Sequence, residues 1–110
     1  MALSAFTSPE LAPPAGAYSH VVEANGVVYT AGFGPQDPET ERVADGIAAQ
    51  TAQVITNLEH ALAGAGLGLS DVAKTTVHLQ DIRRDFAAYD DVYRQRFTTL
   101  IPCVRPSAAR

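Results

Sequence analysis

A single cysteine, Cys103, stands in the 110 residues, so no disulfide closes within the chain and a reducing compartment suits it. No apolar run is long enough to span a bilayer, and the first ten residues have neither the basic nor the apolar region of a secretory signal. A cytoplasmic location with no membrane partner is expected. Basic residues are also scarce. Lys and Arg number 8 against 12 Asp and Glu, a net charge of −4. Phosphate binding needs a basic face and none is visible, so no nucleic-acid partner is expected. His20, His60 and His78 lie far apart, with no second His at four residues and no cysteine at ligand spacing, so no metal is expected. Gly32-Phe33-Gly34 follows a predicted strand, but no helix opens behind it. Gly64, Gly66 and Gly68 follow a helix and do not precede one, so neither set cradles a dinucleotide. There is no nucleophile elbow, and nothing supports a catalytic triad.

What is present describes one soluble globular domain over residues 1–110, with 46% hydrophobic and 18% charged residues. Residues 9–17 hold three prolines and a glycine and read as an irregular arm. Ser19 to Ala24 reads as a strand, Asn25-Gly26 as a type I′ hairpin turn, and Val27 to Ala31 as the returning strand. Gly32 to Thr40 forms a loop. The spacing of Ile47, Thr51, Val54, Leu58, Ala61 and Leu62 predicts a helix from about Asp45 to Ala65, with Gln50, Gln53, Asn57 and His60 on its other faces. Asp45 is the expected N-cap, and the three glycines at 64, 66 and 68 the expected left-handed stops. Val72 to Leu79 reads as a strand with Thr75, Val77 and Leu79 on one face. Phe86, Tyr89, Tyr93 and Phe97 form an aromatic stripe on a second helix, about Arg83 to Thr98, and read as a core seam.

The inventory β-β-α-β-α with a tail predicts an α/β fold: a mixed sheet with two helices on one face and an incomplete strand region at the C-terminus. A strand, a helix and a strand in succession imply a crossover and parallel pairing. Three strands make a thin core with exposed edges, so further strands or a partner subunit are expected to cover it. Candidate site residues collect at strand ends and in loops: Tyr18 after the arm, the Ala31-Gly32 turn, and Cys103 with Arg105 near the end. An arginine held between Pro102 and Pro106 can grip a carboxylate with two parallel hydrogen bonds.

These segments resemble the RidA/YjgF/UK114 family. Gly16-Ala17-Tyr18-Ser19-His20 is similar to its GPYSQ segment, and Ala31 to Thr40 to SGQIPLDPETG. Gln50 to Leu58 is similar to QTRQVLENL, Asp71 to Asp81 to DVVKTTVFLTDM, and Asp85-Phe86-Ala87 with Tyr93 to DFAAVNEVY. The correspondence is collinear from about Pro13 to Phe97. The resemblance implies a chorismate-mutase-like fold and a homotrimer with sites in clefts between subunits. It also implies hydrolysis of reactive imino and enamino acids to 2-oxo acids and ammonia, with no cofactor. Arg105, in Pro102-Cys103-Val104-Arg105, would be the carboxylate clamp, with Arg110 the competing alignment. Tyr18, Ala31, Phe33 and Cys103 would line the cleft, and the backbone near Gly32 would contact the imine or the attacking water.

The chain departs from the family pattern at Ala31 (serine), Phe33 (glutamine) and Asp90 (asparagine). The family's water-positioning glutamate lies on a final strand, and the chain is expected to stop short of about two strands and a turn, roughly fifteen to twenty residues. Residues 102–110 also lack an alternating apolar pattern. Three expectations therefore stand: an imine deaminase, a non-catalytic binding or regulatory protein of the same fold, or an inactive truncated paralogue.

Overall fold

The computed structural model describes residues 3–6, 19–98 and 103–108, the two outer segments as backbone. Their order is β1 (Leu3–Phe6), β2 (Val21–Ala24), β3 (Val27–Thr30), α1 (Ile47–Gly64), a short 3₁₀ turn (Leu69–Asp71), β4 (Lys74–Leu79), α2 (Ile82–Arg96) and β5 (Cys103–Ala108). The α/β class is as expected; β1 is added to the predicted inventory, and the expected C-terminal strand region takes form as β5. The proline-rich arm at 9–17 lies outside the described residues.

Asn25 and Gly26 take φ of 54° and 77°, the positive values that a tight hairpin turn requires. They set the antiparallel register of β2 and β3, Val21 opposite Thr30 and Ala24 opposite Val27. β1, which the sequence reading missed, pairs antiparallel with the other edge of β2, Leu3 opposite Ala24 and Phe6 opposite Val21. Its four residues carry too short a pattern to stand out, and its partner is distant in sequence. β4 and β5 form a separate pair, parallel, with Lys74 opposite Cys103 and Leu79 opposite Ala108. The crossover was expected through α1, between β3 and β4, but those strands do not pair among the described residues; the parallel connection runs from β4 through α2 to β5. Residues 103–108 become a strand without an alternating apolar pattern because β4 supplies their backbone partners. Pro106 lies opposite Val77 and has no N–H to give; β5 tolerates this as an edge strand among the described residues.

α1 starts later than expected. Gly46, with φ of 87°, occupies the N-cap position, which displaces Asp45 from that role. Its C-terminus closes on Gly66 alone among the three glycines, at φ of 75°. There the Leu67 N–H donates to Leu62 O (2.9 Å) and the Gly66 N–H to Ala63 O (3.0 Å), a Schellman arrangement. Gly64 is still helical and Gly68 is extended. α2 begins one residue earlier than predicted and is capped by Asp81, whose carboxylate accepts from the Arg84 N–H at 3.1 Å.

The main core joins Ile55 of α1, Leu79 of β4, and Tyr89, Tyr93 and Phe97 of α2 and its C-cap. The aromatic seam is real: Tyr93 and Phe97 stack at 4.4 Å, and Tyr89 meets Tyr93 at 5.4 Å. Phe86 extends the row at its solvent edge, 43% exposed. On β4, Thr75, Val77 and Leu79 face inward as predicted, and the Thr75 hydroxyl hydrogen-bonds that of Tyr93. A second, smaller core sets Ala61 of α1 against Val21 of β2, with Val28 and Phe33 packed around them. Arg96 ties the helices together. It donates to Ala52 O and Thr56 Oγ1, both at 3.2 Å, and to the Glu59 carboxylate.

Leu79→Ala should remove a side chain at the centre of the main core and cost about 2–5 kcal/mol, read as a lower urea midpoint. Burial, then the neighbouring Tyr93 and Asp90, push the Tyr89 hydroxyl up to about 12. The folded state therefore prefers neutral tyrosine. The contribution is fully present below the unfolded value of about 10 and is lost as pH rises towards 12. A urea titration should show an alkaline decline in stability over that interval, and Tyr89→Phe should reduce it, leaving the part due to Tyr93, whose hydroxyl burial also raises.

Candidate functional site

The candidate site begins where β3 ends. The Ala31 N–H donates to His20 O at 3.0 Å, one rung beyond the β2–β3 ladder. His20 is buried, and its ring meets that of Phe33 at 6.1 Å with a 60° tilt. Phe33 is half-buried and packs on Val21 and Ala61 beneath the loop. Between Ala31 and Phe33, Gly32 is exposed, with nothing within 4 Å of the point where a side chain would begin. The main chain at Gly32 is therefore open to solvent.

The far side of the loop is held by α1. Asn57, 5% exposed, donates both amide hydrogens, to Gly34 O at 3.1 Å and Gln36 O at 2.9 Å. Gln53, one turn earlier, donates to Asn57 Oδ1 at 2.9 Å. The Gln36 carboxamide fills the space that a side chain at Gly34 would take. Beyond it the chain turns back through a bridge between Gln36 and Val43. Asp37 organises that turn by accepting from the Glu39 N–H (2.8 Å) and the Thr40 N–H (3.1 Å). Those backbone donors, Thr40 first, hold its carboxyl below the ordinary carboxylate range.

Of the predicted site residues, Ala31, Gly32 and Phe33 lie together beside His20. Arg105 and Cys103 share β5, opposite Thr76 and Lys74 of β4. Among the described residues no strand pairing links β5 to β3. Tyr18 and the competing Arg110 lie outside the described residues. Asp90 sits on α2 and accepts from Arg94 Nε at 2.9 Å. Apolar spacing leaves Asn57 and Gln53 to the other faces of α1, and the structure buries Asn57. Their i,i+4 separation, which allows one side chain to orient the other, was the signal that could have found them.

The described residues contain no group of three or more His, Cys, Asp or Glu able to hold a metal ion. None of their helices is long and apolar enough to cross a membrane. An open depression of about 420 Å³ lies at the start of α2, lined by Gln80, Asp81, Ile82, Arg83 and Arg84; it includes no candidate residue.

A family model described as endoribonuclease L-PSP matches residues 9–109. A RutC family protein of Pyrococcus abyssi is 42% identical over 90 residues, covering 80% of this chain and 70% of that protein. A 2-iminobutanoate/2-iminopropanoate deaminase of Salmonella typhimurium is 37% identical over 97 residues, covering 87% of this chain and 75% of that protein. The crystal structure of RidA from an Antarctic Psychrobacter superposes with a TM-score of 0.88 at 30% identity, covering 94% of this chain and 84% of that one.

Phe33 supports the loop through its packing on Val21 and Ala61. Phe33→Ala should therefore lower stability by about 1–2 kcal/mol, the order expected for a half-buried aromatic. Chemical denaturation monitored by circular dichroism would measure it.

Proposed function

The chain belongs to the endoribonuclease L-PSP family and has the RidA/YjgF fold, and from that premise we propose that it is a hydrolase of reactive 2-imino and enamino acids. The observation that carries the reading is the similarity to the Salmonella deaminase, which extends over most of the chain. The open main chain at Gly32, set in a loop anchored on both sides, supports it.

The chemistry asks little of a protein beyond placement. An imino acid already carries an electrophilic carbon, so water can add to it without redox or cofactor assistance. Addition gives a tetrahedral carbinolamine; proton transfer to its nitrogen and cleavage of the C–N bond release ammonia and leave the 2-oxo acid. One water enters and one ammonia leaves. Arg105 would hold the substrate carboxylate through two parallel hydrogen bonds, which fixes the plane of the imine. The Gly32 backbone would meet the nitrogen or the incoming water as charge and geometry change at carbon. Tyr18 and Cys103 would complete the lining. The working form would be a cytoplasmic homotrimer whose clefts lie between subunits, with the β5 segment of one subunit and the loop of another on either side.

A second reading is a non-catalytic protein of the same fold that binds a small carboxylate. It is favoured by Ala31 and Phe33, since neither offers the hydroxyl or amide that the resembling segments carry. In this chain Phe33 serves packing beneath the loop.

The decisive assay generates 2-iminobutanoate from threonine with a dehydratase and follows 2-oxobutanoate with and without this protein. The protein should accelerate release well above the spontaneous rate. Arg105→Ala should raise KM and lower kcat/KM by about a hundredfold, as expected when one partner of a buried charge pair is removed. Absence of acceleration, with retained binding of 2-oxobutanoate in a calorimeter, would select the binding reading. Sedimentation at three times the 11.6 kDa chain mass would accompany either outcome if the clefts are intersubunit.

A further inference from the structure

Asn57 has no part in the apolar packing of α1, and burying a carboxamide is unfavourable unless its hydrogen-bonding groups are used. Here they are used in one direction. Both Nδ2 hydrogens go to carbonyls of the loop, Gly34 O and Gln36 O, across more than twenty residues of sequence. Turning the amide over would set Oδ1 against two carbonyl oxygens. The Gln53 Nε2–H, donated to Oδ1 at 2.9 Å, holds the amide in the orientation that donates to the loop. The other end of the loop is fixed by the Ala31 N–H on His20 O and by the Phe33 ring on Val21 and Ala61. Gly32 is thus an exposed point of a loop anchored before and after it.

We propose that Asn57, oriented by Gln53, is a positioning residue for deamination: it clamps the loop so that the Gly32 backbone keeps the geometry required by the carbinolamine-forming step. This rests on the reading that the loop meets substrate. Arg105 stands on β5, in a different strand pair. Carboxylate binding and loop geometry are therefore separable. Loosening the loop affects the chemical step, where displacements near 1 Å cost about a hundredfold, and leaves the carboxylate grip in place.

The test compares wild type, Asn57→Ala and the milder Gln53→Met by steady-state kinetics on 2-iminobutanoate generated in situ, well below the melting temperature of each, and by amide hydrogen exchange. The expected result is a kcat about tenfold or more lower in Asn57→Ala and about threefold lower in Gln53→Met, with KM within about twofold of wild type. The amides of residues 31–34 and 36 should exchange at least about tenfold faster while those of β4 keep their protection. A merely structural role would lower the melting temperature and leave kcat of the folded variants unchanged, which overturns the proposal. So would a rise in KM that accounts for the whole loss of kcat/KM. If Asn57→Ala does not fold, Gln53→Met carries both readouts. If wild type itself does not accelerate hydrolysis, the deaminase reading fails and with it the catalytic part of this one. Exchange then decides the clamp alone: faster exchange confined to residues 31–34 and 36 upholds it, and unchanged exchange removes it.

Discussion

Two small sheets that share no strand pairing among the described residues have to be joined by side-chain packing, and α1 does the joining. Ile55 commits one part of the helix to Leu79 and the aromatic row of α2. Ala61, six residues further on, lets the helix approach β2 closely enough for Val21 to be buried against it. A larger side chain at 61 would push the antiparallel sheet outward and lift Phe33 with it. The position of the loop after β3 is therefore a consequence of helix packing before it is a consequence of any polar contact.

The same helix then adds polar precision to what packing has roughly placed. Apolar contacts are non-directional and tolerate small slides. The Asn57 amide is directional, and its two bonds to the loop carbonyls select one arrangement. Arg96 applies the same logic between the helices, where it grips the outer surface of α1. A candidate site made largely from main chain depends on such supports, because backbone groups cannot choose rotamers to recover a lost geometry.

Much of the architecture was legible from local chemistry. Asn25-Gly26 announced the β2–β3 hairpin, and the alternation through Thr75, Val77 and Leu79 identified the buried face of β4. The spacing of Tyr89, Tyr93 and Phe97 identified the buried seam of α2. The site was legible in part. The turn at Ala31-Gly32 stands out in the sequence, but the packing of Phe33 on Val21 and Ala61 and the burial of Asn57 do not. A helical wheel drawn on hydrophobicity sends a carboxamide to water unless its distant hydrogen-bond partners are known. β1 was invisible for a related reason: four residues acquire strand identity only from the neighbour they meet.

The amino-acid order by itself determined the fold class, the hairpin turn, the two amphipathic helices and the inner face of β4, because each follows from interactions within a few residues. Tertiary structure decided the rest. It made a strand of residues 103–108 against β4, chose Gly46 over Asp45 as the start of α1, and turned Phe33 into a support beneath the loop. It also gave Asn57 two carbonyls to hold. These outcomes depend on groups brought together from far apart in the chain, and no local pattern encodes a partner that only folding supplies.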